Sequence, residues 1–229
     1  MEKLYSNPYD NPALVEVYEK RYIYHPFVQD DIYHEIKTIE TITKSLGYKS
    51  WCDVGCGTAH HLRKTEGEIA RFGIDRSSTM LEQHKDDTTY DVDYILCDFL
   101  EWPETTKFDL VTNFWFGYAH QPTLKSVLKF FDKLVAHTKK DGSVLVSLHN
   151  QWKIFDKYLH KTDEPMGGTF LLDAMHWSYA EPETGDVYEC IVPHKKLVEE
   201  RLSKYFSNVR YLPYPRYAGK ELLFLEGKN

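Results

Sequence analysis

Apolar residues recur along this chain in two alternating rhythms. Over residues 11–46, Ile32, Ile36, Ile39 and Ile42 return at the spacing that places them on one helical face, and Gly47 ends the run. Pro12 suits a first helical turn, and Pro26 divides the stretch into two helices. From Ser50 the rhythm changes to short apolar runs punctuated by glycine and acidic residues. Residues 50–54, 69–74, 92–97, 108–114 and 143–148 read as strands, the last entered through an Asp141-Gly142 turn. Residues 60–65, 77–84 and 124–138 read as helices, and the last carries Val127, Leu128, Phe131, Leu134 and Val135 on one face. A helix over 197–206 and two strands, 209–212 and 221–225, close the chain.

Strands separated by helices of these lengths predict right-handed βαβ units, hence a doubly wound α/β fold with a mostly parallel sheet and helices on both faces. The pattern predicts one domain over 1–229: a helical segment to residue 47, a core over 48–149, a long connection over 151–192, and a terminal helix and strand pair over 193–229. Ligands in such sheets bind outside the carboxyl ends of the strands, so the residues just after each strand are the candidates for function.

Composition narrows the classes. With 229 residues and 42% apolar content the chain can bury one substantial core. No apolar run approaches the roughly 20 residues of a membrane span, and Met-Glu-Lys-Leu-Tyr does not open a signal peptide, so a soluble cytoplasmic protein, monomer or homodimer, is expected. A net charge of −7 disfavours nucleic acid as a partner. The four cysteines include no Cys-x-x-Cys pair, which points to reduced thiols. Among 11 histidines none pairs as His-x-x-x-His with an acidic third ligand, and no Gly-x-Ser-x-Gly elbow occurs, so neither a metal nor a serine nucleophile is expected. Aromatic residues make up 15% and crowd the N-terminus as Tyr5, Tyr9, Tyr18, Tyr22 and Tyr24, with Trp115, Trp152 and Trp177 later; as a set they suit a pocket for flat or cationic ligands.

The chemistry begins after the first strand. In Asp53-Val54-Gly55-Cys56-Gly57-Thr58-Ala59 the glycines allow a sharp turn that brings backbone amides close to a ligand. Asp75 ends the second strand, where a carboxylate can accept two hydrogen bonds from a ribose diol, and Asp98 follows the third, suited to an adenine amino group. A nicotinamide-dinucleotide oxidoreductase is the rival reading, but its fingerprint needs a small residue at position 60, which is His60, and leaves Asp53 unexplained. Asp53 fits a ligand with a cationic amino-acid end.

These motifs resemble those of class I, Rossmann-like S-adenosylmethionine-dependent methyltransferases. Residues 51–58 are similar to the family's first motif, Phe72-Gly73-Ile74-Asp75-Arg76-Ser77-Ser78-Thr79-Met80-Leu81 to its second, and Asp98-Phe99-Leu100, Phe108-Asp109-Leu110-Val111 and residues 140–146 to those that follow. The resemblance spans residues 48–149 and departs at Ala59, where the family has glycine. It implies a seven-stranded sheet with an antiparallel strand near the C-terminus and S-adenosylmethionine as cofactor. Gly55 and Gly57 would line its amino-acid part, Asp75 would hold the ribose, Asp98 and Phe99 would frame the adenine, and Asn113 would border the methyl donor. Tyr18, Asp53, Cys56, Arg76, Met80 and Phe114 complete the implied cofactor set. The sequence Asn113-Phe114-Trp115-Phe116 lacks the proline-forced turn of enzymes that methylate base amino groups, so the acceptor is expected to be a small molecule, methylated on nitrogen or oxygen. A methyltransferase-like binding protein without catalysis is the other alternative.

Three further expectations concern the acceptor side. Residues 151–192, with Trp152, Tyr158, His176, Trp177 and Tyr179, are expected to cover the acceptor. The first 24 or so residues are expected to form a lid that can be removed without loss of the fold, with Tyr18 facing the pocket. His120, beyond the fourth strand, is the first candidate general base and His149, directly after the fifth, the second.

Overall fold

Each apolar run finds a neighbour of the same kind, and the runs assemble into one twisted sheet. β1 (Ser50–Val54), β2 (Ala70–Asp75), β3 (Val92–Leu96), β4 (Phe108–Asn113) and β5 (Thr138–His149) lie parallel in the order β3-β2-β1-β4-β5. β9 (Lys220–Lys228) pairs antiparallel to β5, and β8 (Phe206–Pro213) antiparallel to β9, which completes seven strands. β6 (Ala174–Ala180) and β7 (Val187–Pro193) form a separate antiparallel ribbon. The computed structural model describes residues 8–84, 86–87, 89–149, 174–180, 185, 187–215 and 220–229.

Helices cover the sheet. α1 (Pro12–Tyr18) starts where the Asn11 side chain accepts from the Ala13 amide, and it continues into a π-helical turn over Glu19–Ile23. α2 (Gln29–Leu46) buries Ile32, Ile36, Ile39 and Ile42 on its inner face and ends at Gly47 in the left-handed conformation, φ 66°. α3 (His60–Lys64) and α4 (Ser78–Glu82) are single turns after β1 and β2. α5 (Leu124–Ala136) opens with a capping box of Thr123 and Ser126, and α6 (Lys195–Leu202) precedes β8.

The inner face of α5 comprises Val127, Phe130, Phe131, Leu134 and Val135, with Leu128 only half-buried. Lys133 is buried too, because its ammonium donates to the carbonyls of Leu100 at 3.0 Å and Trp102 at 2.5 Å. The expected turn at Asp141-Gly142 is instead an irregularity within β5, which begins at Thr138. Asp141 adopts φ 62° and the pairing with β4 shifts register between Phe108 and Leu110. β8 likewise starts at Phe206, earlier than expected, because α6 ends at Leu202.

β2 and β3 lie to one side of β1 and β4 and β5 to the other, so the strand order reverses between β1 and β4. That reversal opens a crevice above the carboxyl ends of β1 and β4, where the loops after the strands converge. Among the described residues, no helix is long and apolar enough to cross a membrane. Leu134 is fully buried between α5 and the sheet. Leu134→Ala is expected to destabilise the protein by about 2–5 kcal/mol, read as a lower urea midpoint with an unchanged slope.

Candidate cofactor and active site

The loop after β1 is held to the end of β2 by hydrogen bonds. The amides of Gly55 and Cys56 donate to the Ile74 carbonyl at 2.7 and 3.1 Å. The Gly57 amide donates to Asp75 Oδ2 at 2.8 Å, and the Ser77 amide to Asp75 Oδ1 at 2.9 Å. Gly55 and Gly57 sit at φ 68° and 56°, where L side chains are strained, and a Cβ on Gly57 would lie 2.9 Å from Met80 Cε. Ala59 adopts φ 57° as well, at the position where the resembled motif has glycine; its methyl group tolerates that conformation at a cost of roughly 1–2 kcal/mol.

These loops line a pocket open to solvent, with about 710 Å³ of empty space that includes the solvent at its mouth. Val54, Gly55, Gly57 and Ile74 line its base; Asp75, Arg76 and Met80 line one side, and Cys97, Asp98 and Phe99 the next. Phe114, Trp115, Gly117, His120 and Gln121 face them, and Tyr9 and Tyr18 of the N-terminal segment complete the lining. Burial raises the pKa of Asp75, while the Ser77 and Gly57 amides favour its charged form. Asp98 is exposed, and its Oδ1 accepts from the Leu100 amide at 2.8 Å. Phe99 is buried against Phe130, ring centroids 4.9 Å apart.

Three of the cofactor candidates do not line the pocket and instead brace it. Asp53 is 2% exposed; its Oδ1 accepts from Thr112 Oγ1 at 2.6 Å, and that oxygen accepts from Trp51 Nε1 at 2.9 Å. Burial lifts its pKa to about 6. Cys56 is buried with its Sγ against Gly73, where a Cβ would come within 2.9 Å. Asn113 Nδ2 donates to the Val54 carbonyl at 2.7 Å and its Oδ1 accepts from the Tyr118 amide at 3.3 Å, which joins β1 to the turn after β4.

That turn is unusual, because Trp115 and Phe116 are consecutive non-glycine residues at φ 53° and 61°. Side-chain packing holds it. The Lys220 ammonium lies 4.0 Å above the Trp115 ring and pairs with buried Asp31 at 3.1 Å. Phe114 stacks on His61 at 4.5 Å, and His61 Nε2 meets Glu35 Oε2 at 2.8 Å, while the Tyr214 hydroxyl donates to Glu35.

Of the two candidate bases, His120 lines the pocket and His149 does not. Burial, with the nearby Arg76 charge, lowers His120 to a pKa of about 4, so it is neutral at pH 7; Cys190 Sγ of β7 lies 3.7 Å from its Nδ1. His149 stacks on Phe116 at 3.6 Å, outside the pocket, and burial and Lys220 lower its pKa to about 4. His149 faces Trp177 of the β6–β7 ribbon at 5.8 Å. Trp152 and Tyr158 lie outside the described residues, as do Tyr5 and the side chain of Tyr179.

The N-terminal segment is a packed part of the domain. Leu14, Val15 and Ile23 are buried, and Ser77 Oγ donates to the Tyr9 carbonyl at 2.6 Å. Loss of residues 8–24 would take Leu14, Val15 and Ile23 out of the core. Tyr9, Trp115, Gln121 and Phe130 also line the pocket without having been singled out as site residues. Tyr9 and Trp115 belong to the aromatic excess noted in the sequence; Gln121 and Phe130 carry no such signal. Among the described residues, no cluster of His, Cys, Asp or Glu could hold a metal ion.

The fold is the class I, Rossmann-like methyltransferase fold. Residues 52–142 match the model of a methyltransferase domain. Among solved structures, the chain is similar to the N-methyltransferase NodS from Bradyrhizobium japonicum in complex with S-adenosylhomocysteine, with TM-score 0.64, 11% identity and 91% of each chain covered. It is similar to an S-adenosylmethionine-dependent methyltransferase from Clostridium acetobutylicum (TM-score 0.64, 14% identity, 94% of this chain and 98% of that one). It is also similar to CalS10, an amino pentose methyltransferase from Micromonospora echinaspora solved with S-adenosylmethionine bound (TM-score 0.62, 12% identity, 93% and 97% covered). No curated protein matches the chain.

Asn113→Ala removes the partner of two buried backbone groups and is expected to destabilise by about 1–3 kcal/mol for each group left unpaired. Gly117→Ala places a Cβ 2.7 Å from Asn113 Nδ2 and is expected to displace that amide with a comparable loss. Thermal melts check both; a Gly117→Ala melt superimposable on the parent's contradicts the bracing role of Asn113.

Proposed function

We propose that this chain is a methyltransferase that transfers the methyl group of S-adenosylmethionine to a nitrogen or oxygen of a small-molecule acceptor. The observation that carries the reading is Asp75, at the end of β2 beside the glycine loop. Two backbone amides leave each of its oxygens a further lone pair for a ribose hydroxyl. The rest of the pocket fits the same cofactor. Asp98 and Phe99 flank the adenine place, the left-handed glycines clear room for the amino-acid end, and Tyr18 closes over it. A dinucleotide fits less well, because the position where it needs a small residue is buried His60, packed against Tyr24 at 5.5 Å.

The cofactor supplies a methyl group on positively charged sulfur, already activated for in-line displacement. The residues must therefore exclude water and hold the acceptor lone pair at attack distance, which supplies up to ~7–11 kcal/mol of acceleration. Trp115, Gly117 and His120 form the wall where the acceptor arrives, and the described part of 151–192, the β6–β7 ribbon, flanks it through Cys190. The names of NodS as an N-methyltransferase and of CalS10 as an amino pentose methyltransferase favour nitrogen as the acceptor atom. A nitrogen acceptor attacks through its free lone pair, and His120, neutral on this wall, is the group we assign to hold the acceptor N–H by hydrogen bond and to take its proton where the acceptor is acidic enough for so weakly basic an imidazole.

S-adenosylhomocysteine is expected to bind in calorimetry and NAD is not. Asp75→Ala should weaken that binding by about 1.5–3 kcal/mol, and unchanged affinity contradicts the assignment. If His120 is the base, it works while neutral, so the rate should hold at neutral pH and fall as pH drops through about 4. His120→Ala should lower turnover roughly 10²–10⁴-fold and remove that acidic limb. A pH–rate profile with a drop below about tenfold and an unchanged limb leaves positioning alone as the mechanism.

A further inference from the structure

One buried carboxylate outside the pocket grips the cofactor loop from behind. Glu19, in the π-helical turn directly after Tyr18, is only 9% exposed. Its Oε1 accepts from Thr58 Oγ1 at 2.7 Å and from Arg63 Nη2 at 2.5 Å, and His84 Nε2 lies 3.2 Å from Oε2. Arg63 closes the triangle, because its Nε donates to the Thr58 carbonyl at 3.1 Å. Thr58 is thereby held at both its hydroxyl and its carbonyl, one residue beyond Gly57, whose amide donates to Asp75. Burial opposes ionisation of Glu19, but His60, Thr58 and Arg63 outweigh it and hold the carboxyl at about 2.

A charge buried this deeply adds little net stability compared with an apolar packing of the same volume, so its placement calls for another role. Glu19 opens the π-helical turn directly after Tyr18, which lines the pocket. We infer that Glu19 is a positioning residue for the cofactor: through Thr58 it sets the glycine loop, and through its own backbone it seats Tyr18, so that loop and N-terminal segment act on the cofactor as one unit. The inference rests on the assignment of this pocket to S-adenosylmethionine.

The test uses the full chain, with S-adenosylhomocysteine affinity by calorimetry and melting temperature read side by side on Glu19→Gln, Thr58→Val, their double variant and Asp87→Asn. Asp87 Oδ2 accepts from Arg63 Nη1 at 3.0 Å and touches neither Thr58 nor the pocket, so its variant controls for simple loss of an ion pair. Glu19→Gln and Thr58→Val should each weaken binding about tenfold or more, and the double variant no more than the larger single effect. Asp87→Asn should lower the melting temperature with affinity held within about twofold. Thr58→Val keeps the Glu19–Arg63 pair, so it carries the test alone if Glu19→Gln does not fold. Affinities within about twofold of the parent for the Glu19 and Thr58 variants, or losses that simply add, overturn the inference. Failure of the parent itself to bind S-adenosylhomocysteine overturns the cofactor assignment instead.

Discussion

The two hydrogen bonds accepted by Asp75 are the constraint on which the site depends. In the loop with left-handed Gly55, Gly57 and Ala59, the Gly55 and Cys56 amides reach the Ile74 carbonyl and the Ala59 amide the Cys56 carbonyl, which leaves the Gly57 amide to Asp75, and an unpaired buried amide is costly. By taking the Gly57 amide on one oxygen and the Ser77 amide on the other, Asp75 joins the loop after β1 to the start of α4. The Ser77 hydroxyl then meets the Tyr9 carbonyl, so the place of the N-terminal segment also follows from that junction. The carboxylate accepts burial because the amides return what water would have supplied, and Asp75 still lines the pocket.

Polar residues near the pocket divide into those that face it and those that brace it. Asp75, Asp98 and His120 line it; Asp53, Asn113, Glu35 and Asp31 stand behind its walls. The bracing group supports aromatic surfaces: Glu35 through His61 supports Phe114, and Asp31 through Lys220 supports Trp115. Two adjacent left-handed residues at 115 and 116 persist because these contacts over-determine them.

Much of this was legible in the sequence, for reasons that also mark where legibility ends. The isoleucine spacing of α2, the short strands of the core and the acidic residues after β2 and β3 are local patterns, and each took its expected place. Position after a strand does not reveal which way a side chain turns, so Asp53 and Asn113 read as ligand-facing although they bond to Thr112 and Val54. The ribbon at 174–193 and the packing of Tyr9 against His120 at 5.6 Å depend on contacts between distant segments. The tyrosines before the glycine loop signalled a cover, but only the burial of Leu14, Val15 and Ile23 shows that the cover belongs to the core.

The place of β9 has a consequence for how the molecule comes together. β9 lies between β5 and β8, so the apolar edge of β5 stays unpaired until residues 220–228 arrive, after the whole connection and the ribbon have been made. Val144, Val146 and Leu148 meanwhile form a bare strand edge of the kind that templates association between chains. A chain emerging from the ribosome would hold this edge open longer than any other edge that is later paired, which makes that interval a stage of synthesis at which a chaperone has much to protect.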